Sequence, residues 1–381
     1  MNFKSGRLSY RSMAWTAAFL DTKGVAGTNI KKLLQFVEGF DNMELHSLYR
    51  GRGMEQNSYW GQYWQEFLEQ RKLANFVDAM NEADESLGNE VRIEDICHKI
   101  YEDYRGTWKD HLEQVRANFL KMLEEFQYVH LQTSRVKKID SLLEKVILKR
   151  YKSLQNSASA YAKINGENYK DIITDLIGMR VILNYRGNWE DIHTEILSKF
   201  TYDKELFESE EMLLPHPNGG ENAIAQIPKV YYAQGDDTKE FSKHGLSMEL
   251  HRMGYRSIHY IVSYQGVYVE LQIRTIYDEA WSDCDHNYVY KQDHNHSHTA
   301  LLEMSRMLCR LTNISNDMGE TMREIFEKQS YTDIGNNGWE ADEDQIKKVD
   351  ITLEKLYDVI KELKTFRSNI QIKRGVSSHG K

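Results

Sequence analysis

The stretch Val267-Tyr-Val-Glu-Leu-Gln-Ile-Arg-Thr275 contains the pattern that decides the predicted fold. Aliphatic residues alternate in it with Tyr268, Glu270, Gln272 and Arg274. Successive side chains of a strand point to opposite faces, so one face is expected in a core and the other carries a carboxylate, an amide and a guanidinium. Taken alone, this strand is equally consistent with an ordinary solvent-exposed polar face.

Three further segments, 175–183, 257–263 and 229–233, are short and rich in β-branched or aromatic residues, and each is predicted to be a strand. A helical pattern at 189–200 separates the first of them from the others. Strands interrupted by a helix predict an α+β fold with a mixed sheet flanked by helices. The three prolines of the chain all lie between these strands, which predicts a long loop at 203–245.

Helical patterns dominate on both sides of the predicted sheet. Before it, apolar residues recur at three- and four-residue steps and predict one helical stripe, formed by Trp108, Leu112, Val115, Phe119, Leu123 and Phe126. After it, a second seam comprises Ile346, Val349, Leu353, Leu356, Ile360 and Leu363. This seam is consistent with packing on the protein's own body or with contact in a homo-oligomer, and both interpretations stay open.

The composition excludes several classes of protein. The chain has 381 residues and a net charge of −9, which argues against broad coating of nucleic acid. Its three cysteines show no disulfide or zinc spacing, and no stretch reaches the ~18 apolar residues of a membrane span. We therefore expect a cytoplasmic protein without a membrane partner.

Unlike the chain as a whole, the segment 130–152 is basic, with seven lysines and arginines and only two acidic residues. Such a segment is expected to bind an anion, although a solvated charged helix has the same composition. If Arg135 and Lys137 lie on an extended lead-in and a helix begins near Ile139, then Ser141 and Lys145 share one helical face.

Two carboxylates and one segment that begins with glycine are further candidates for functional residues. Asp175 and Glu270 each belong to a predicted strand, and neighbouring strands would bring them to one Mg²⁺ ion. The segment Gly254-Tyr-Arg-Ser-Ile-His259 offers a flat ring for stacking on a base and donors for phosphate. A turn carboxylate and a core tyrosine are the structural alternatives.

Taken together and in this order, these elements resemble the synthetase domain of the RelA/SpoT family. The resemblance is carried by HLQTSRVKKIDSLLEK (130–145), DLIGMRVI (175–182), GYRSIHY (254–260), VELQIRT (269–275) and DEAWSDCDHNYVY (278–290). It implies a nucleotidyltransferase-like synthetase domain at 115–300, between a helical region of unknown role at 1–114 and C-terminal helices with a basic tail at 301–381.

The resemblance also implies a reaction: Mg²⁺-dependent transfer of the β,γ-diphosphate of ATP to the 3′-oxygen of GDP or GTP, which gives (p)ppGpp. Asp175 and Glu270 would be the catalytic metal ligands. The remaining implied roles are ATP binding by Arg135, Lys137, Ser141 and Lys145, acceptor binding by Tyr255, Arg256, His259, Gln272 and Arg274, and support from Arg180 and Lys243.

The sequence departs from the family pattern ahead of Tyr255. The segment 243–253 lacks the usual basic motif, and Lys243, His251 or Arg252 would have to supply the missing cation. An acceptor at the 3′ end of tRNA and a catalytically inactive nucleotide-sensing module therefore remain alternatives. No His-Asp dipeptide occurs, so the resemblance implies a synthetase without the family's hydrolase activity.

Overall fold

A computed structural model describes residues 56–86, 92–154, 159–202, 222–290, 299–331 and 343–377. The chain divides into two compact units between Gln70 and Arg71. In the first unit, the aromatic side chains of helix α1 (Gln56–Arg71) contact one another, with Trp60 stacked on Trp64 at 5.5 Å between ring centroids. The predicted domain boundaries after residues 114 and 300 stay predictions.

The second unit is built on one mixed sheet of seven strands. The strands are β1 (Val129–Val136), β2 (Ile177–Leu183), β3 (Ala223–Ile224), β4 (Lys229–Tyr232), β5 (Ser247–Leu250), β6 (Ser257–Tyr264) and β7 (Val267–Thr275). Their order across the sheet is β1-β2-β7-β6-β4-β5, with β3 beside β6. The predicted α+β class with a mixed sheet is confirmed.

A tight hairpin joins β6 to β7 and sets their register. Its two turn residues, Gln265 and Gly266, have φ angles of 50° and 77°, and Tyr264 pairs with Val267. Two successive positive φ angles match the right-handed twist of a hairpin, and glycine adopts the second one without strain. Antiparallel pairing then brings His259 opposite Gln272.

The central contact of the sheet is the parallel pairing of β2 with β7. Both strands are rich in Val, Ile and Leu, and Val269, Leu271 and Ile273 are almost completely buried. This fits a strand covered on both faces, as parallel strands usually are. Contrary to the exposed-face alternative, Arg274 is also buried.

The helices of the second unit are α2 (Ala74–Ser86), α3 (Ile93–Asp103), α4 (Lys109–Leu123), α5 (Ile139–Ser153), α6 (Tyr169–Ile172), α7 (Trp189–Lys199), α8 (Lys239–Lys243), α9 (Ile276–Asp285), α10 (Thr299–Tyr331) and α11 (Glu343–Ser377). Short π-helical segments lie at Tyr104–Trp108 and His286–Tyr290, and 3-10 turns at Ala160–Lys163 and Arg186–Asn188. None of the helices in the described ranges is long and apolar enough to cross a membrane.

The predicted stripe ahead of the sheet forms α4 and packs against the strands. Leu112, Val115, Phe119 and Leu123 are buried. Phe119 meets Tyr264 of β6 edge to face, with ring centroids 5.0 Å apart. This apolar layer covers part of the sheet face opposite Glu270, near the end of β6.

The seam predicted on the C-terminal helix differs from the one that packs. On α11 the buried or half-buried residues are Gln345, Thr352, Leu356, Val359 and Phe366. Of the predicted seam, only Leu356 is shielded, and the other members are exposed. Both sets have helical spacing, so the sequence pattern alone does not show which side of the helix meets α10.

Candidate active site

One face of the sheet carries a row of polar side chains from three strands. Arg135 on β1 pairs with Gly178 on β2, and Gly178 pairs with Glu270 on β7. A Cβ built on Gly178 would lie 3.7 Å from the Arg135 side chain. Because Gly178 has no side chain of its own, Arg135 extends over β2 towards the strand that carries Glu270.

Asp175 lies just ahead of β2 and is neutralised by two lysines. Lys137 Nζ is 2.7 Å from Asp175 Oδ2, and Lys145 Nζ is 2.9 Å from Asp175 Oδ1. Burial opposes ionisation of the carboxyl, but the two ammonium groups outweigh it and hold the pKa of Asp175 below its usual value. The protein therefore holds a cation–carboxylate cluster beside the polar row.

The local backbone explains how both lysines reach one carboxylate. Lys137 follows β1, where its N–H donates to the Leu176 carbonyl at 2.8 Å, and α5 begins two residues later. Lys145 then lies on the second turn of α5, one turn after Ser141. The predicted extended lead-in and the helix start near Ile139 are confirmed.

Glu270 is held by its neighbours on β6 and β7. Gln272 Nε2 donates to Glu270 Oε2 at 2.8 Å, and His259 Nδ1 lies 3.6 Å from Glu270 Oε1. Burial raises the pKa of Glu270, but the contact with His259 and the charge of Lys145 together outweigh it, and the pKa is lowered overall. Asp175 and Lys145 also affect the pKa of Glu270, which places the two carboxylates in one electrostatic site.

Arg274 connects this face to the first turns of α9. Its Nη2 donates to the Tyr255 hydroxyl at 2.6 Å and to Gln272 Oε1 at 2.5 Å. Its Nη1 donates to Glu279 Oε2 at 2.8 Å and to the Ser282 hydroxyl at 2.9 Å. A buried guanidinium with this many acceptors is fixed in place, so it orients the side chains around it.

Glu279 is a site residue that the sequence reasoning did not single out. It accepts from Arg274 through one oxygen and from Arg180 Nη1 through the other, at 2.7 Å. A capping box between Thr275 and Asp278 starts α9 directly after β7, and the first helical turn therefore presents Glu279 to both arginines. The helix motif at 278–290 contains this residue and is the signal that pointed to it.

Tyr255 is half-buried in an aromatic cluster. Its ring lies 5.5 Å from the ring of Tyr231 and 6.4 Å from that of Trp281, measured between centroids. The guanidinium carbon of Arg274 is 4.9 Å from the Tyr255 centroid, and the hydroxyl is 2.9 Å from His259 Nε2. Burial raises the pKa of Tyr255 and lowers that of His259, so both groups are neutral near pH 7.

Two residues of the predicted site lie apart from this cluster. Arg256 forms a two-pronged ion pair with Asp236, at 2.7 and 2.8 Å. Lys243 lies on α8 with an exposed side chain that pairs with Glu240 at 2.5 Å. Among the three candidates for the missing cation, His251 contacts Tyr255, because its Nδ1 accepts from the Tyr255 N–H at 3.3 Å.

The chemistry of the donors fits a divalent cation with oxygen ligands. Within the described residues, no group of three or more His, Cys, Asp or Glu side chains could hold a metal on its own. Mg²⁺ is commonly bound through one or two carboxylates together with substrate phosphates, which is what Asp175 and Glu270 offer. The residues present therefore fit Mg²⁺ with phosphate, and do not form a closed protein site.

Comparisons with known proteins place this site in a recognised region. Among solved structures, smu.1046c from Streptococcus mutans is 16% identical with a TM-score of 0.39, over 60% of this chain and 98% of that one. A GTP pyrophosphokinase family protein from Streptococcus pneumoniae is 17% identical with a TM-score of 0.39, over 61% and 98%. Small alarmone synthetase 1 from Bacillus subtilis, bound to its product pppGpp, is 20% identical with a TM-score of 0.34, over 60% and 97%.

These three likenesses are too loose to carry an argument about function. No curated protein matches the sequence. A family model does match: residues 134–295 fit the region found in RelA / SpoT proteins, which runs from the last residues of β1 to beyond α9 and contains every residue of the cluster. The resemblance seen in the sequence motifs is confirmed by this match.

Proposed function

We propose that the protein is an ATP-dependent pyrophosphokinase that transfers the β,γ-diphosphate of ATP to the 3′-hydroxyl of GDP or GTP. The observation that carries the proposal is that Arg135 and Glu270 lie in one cross-strand row of the sheet, beside which Lys137 and Lys145 both pair with Asp175. Three cations beside two carboxylates suit a polyphosphate and its divalent ion. The cluster lies inside the RelA/SpoT region.

The donor half of the site needs charge neutralisation more than covalent chemistry. In phosphoryl-type transfer, catalysis rests mainly on positioning and on stabilising charge at the phosphate oxygens. Lys137 and Lys145 neutralise Asp175 in the structure, and the same ammonium groups are within reach of phosphates beside that carboxylate. Arg135 supplies a fork of donors that suits two phosphate oxygens at once.

Mg²⁺ bound by Asp175 and Glu270 would polarise the transferred phosphates and neutralise their charge. Burial disfavours both carboxylates as anions, and the lowered pKa of each keeps it ionised at neutral pH. Ionised carboxylates are the form that binds a hard cation. Gln272 and His259 hold Glu270 in position from the side.

The acceptor half is organised around Tyr255. Its hydroxyl receives a hydrogen bond from Arg274 and contacts His259, which in turn lies beside Glu270. An acceptor that binds against this ring would have its ribose hydroxyl directed by a fixed network of neutral and cationic donors. The proposed roles of Arg256 and Lys243 on this side have no such support, because each pairs with a carboxylate elsewhere.

The test is product analysis by mass spectrometry after incubation with ATP, Mg²⁺ and an acceptor panel of GDP, GTP and uncharged tRNA. A 3′-diphosphorylated guanosine nucleotide is expected, and Glu270→Gln should reduce its formation about 100-fold or more, as loss of a metal ligand does in such sites. Lys243→Met is the matched control and should keep full activity.

Other products decide between the alternatives. If the tRNA 3′ end carries the diphosphate and GDP and GTP are unmodified, the acceptor is tRNA and not a guanosine nucleotide. If the protein is folded and binds ATP but forms no product, the result would support the catalytically inactive nucleotide-sensing module. Equal turnover by Glu270→Gln and the wild type would contradict the assignment of the metal ligand.

We also propose that the protein associates with a second copy of itself through the exposed side of α11. Leu353 and Ile360 are exposed there, 46% and 37% respectively. Asp350 and Lys364 lie equally far on either side of Tyr357, so two antiparallel copies of α11 centred on Tyr357 would bring opposite charges together. Contiguous exposed apolar residues of this kind mark interaction surfaces.

A further inference from the structure

A cavity lies on the sheet face opposite the candidate active site. Its volume is about 680 Å³, which is within the usual range for pockets that hold a small molecule. Val230, Ile258 and Ile273 form one row across β4, β6 and β7 and make its floor. Because side chains alternate along each strand, this row points away from His259 and Gln272.

The floor is extended by aromatic side chains from two helices. Trp189 begins α7 and Phe241 lies on α8, with ring centroids 4.4 Å apart. Ile314 of α10 also lines the cavity. A flat apolar ring is the chemistry that fits between aromatic and aliphatic walls.

The rim of the cavity is charged and carries more cations than anions. Its cations are Arg186, Arg256, Arg310, Lys348 and Lys355, and its anions are Asp236, Asp237, Asp278 and Asp317. Arg256 and Asp236 satisfy each other fully through their two-pronged pair. The other cations come from three separate elements, namely the turn before α7, α10 and α11.

Arg186 is the rim cation with unused hydrogen-bonding capacity. Its Nη1 lies 3.7 Å from Asp317 Oδ1, which is too long for a hydrogen bond, and Asp317 is already bonded to Lys355 Nζ at 2.7 Å. Its Nη2 is buried and has no hydrogen-bond partner in the described parts of the chain. An unsatisfied guanidinium favours an acceptor oxygen brought by a ligand.

We infer that this cavity binds a small anionic molecule with a flat apolar ring, its ring on the Trp189–Phe241 floor and its anionic group at Arg186. A nucleoside monophosphate and an aromatic carboxylate share this chemistry. The inference does not depend on the proposed function, because the cavity and the catalytic cluster use opposite faces of the sheet. Arg274 connects them, since it lines the cavity and its side chain reaches Tyr255.

Isothermal titration with GMP and with indole-3-acetate tests the inference, with guanosine and inorganic phosphate as the separate halves. At least one joined molecule should bind more tightly than either half. Arg186→Gln should weaken that binding about 10-fold or more, as loss of a charged hydrogen bond does. Arg180→Gln is the matched control, because it removes an arginine–carboxylate pair from the catalytic face instead.

Three results would overturn the inference: no binding of GMP or indole-3-acetate at millimolar concentration, unchanged binding by Arg186→Gln, or loss of binding in Arg180→Gln alone. The last result would place the probe at the catalytic face. If circular dichroism shows that Arg186→Gln is unfolded, Phe241→Leu takes its place, since it removes one ring of the proposed floor at a half-buried position. Unchanged affinity in that variant would equally reject the site.

Discussion

At the scale of single residues, the strongest electrostatic feature is the pairing of Asp175 with Lys137 and Lys145. The pKa of Asp175 is below its unfolded value, so the pairing stabilises the fold above about pH 4. That stability is lost as pH falls through the folded-state pKa, because the unfolded chain binds the proton first.

Asp175→Asn should therefore lower the free energy of unfolding at pH 7 by about 1–3 kcal/mol, since two partly buried ammonium groups lose their partner. The difference from the wild type should shrink between pH 5 and pH 3 in urea denaturation. Lys243→Met breaks an exposed pair and should change stability by less than about 0.5 kcal/mol. A pH-independent deficit in Asp175→Asn would show that the effect is not electrostatic.

Single residues also mark the limit of what the sequence predicts. Alternation along β7 placed Glu270, Gln272 and Arg274 on one face, and the structure brings all three into contact. Arg256 neighbours Tyr255 in the sequence but turns to Asp236, a partner from a turn whose position depends on β4 and β6. Local sequence gives the face of a side chain, while its partner depends on the tertiary fold.

At the scale of elements, β2 matters as much for the side chain it lacks as for those it carries. Gly178 lies between Arg135 and Glu270 in the cross-strand row. Its φ angle is not positive, so the position does not require glycine for backbone reasons. The absence of a side chain instead leaves space for Arg135.

Gly178→Val should displace Arg135 and raise the KM for ATP about 10-fold with a smaller effect on stability, because valine suits a strand. Gly178→Ala adds a Cβ at ordinary contact distance, 3.7 Å, and should behave almost like the wild type. Initial rates at varied ATP concentration distinguish the two variants. Equal KM values for both would show that Arg135 does not need this space.

The strands were predictable only where burial requires a run of apolar residues in the sequence. The strands β2, β6 and β7 are central, and their β-branched residues predicted them. By contrast, β1 and β5 lie at the two edges of the sheet, where most of their side chains are half-buried or exposed. An edge strand buries too little to require an apolar pattern, so β1 was anticipated only as an extended lead-in.

At the scale of the whole molecule, α10 and α11 are joined by ion pairs, and both helices carry exposed apolar side chains. Arg310 pairs with Glu362, Asp317 with Lys355 and Glu324 with Lys348, which fastens the two helices along one side. Met318, Met322 and Phe326 of α10 are exposed, as are Leu353 and Ile360 of α11. The proposed contact with a second copy would cover Leu353 and Ile360.

Leu353→Lys should therefore shift the protein from dimer to monomer in sedimentation velocity experiments at micromolar concentration. Ile351→Lys is the matched control, because two residues on a helix are about 200° apart and Ile351 is equally exposed, at 42%. It should remain dimeric. A wild-type monomer up to about 100 µM would contradict the proposed contact, since specific interfaces persist well below that concentration.

The parallel pairing of β2 with β7 has a consequence for biosynthesis. A nascent chain that ends before Val267 already contains Arg135, Lys137, Lys145 and Asp175, but it lacks the strand that carries Glu270. Pairing of β2 with β7 closes a long loop, and the entropy lost in closing it slows folding. Glu270 therefore joins the cluster of Asp175, Lys137 and Lys145 only after most of the segment 134–295 has left the ribosome.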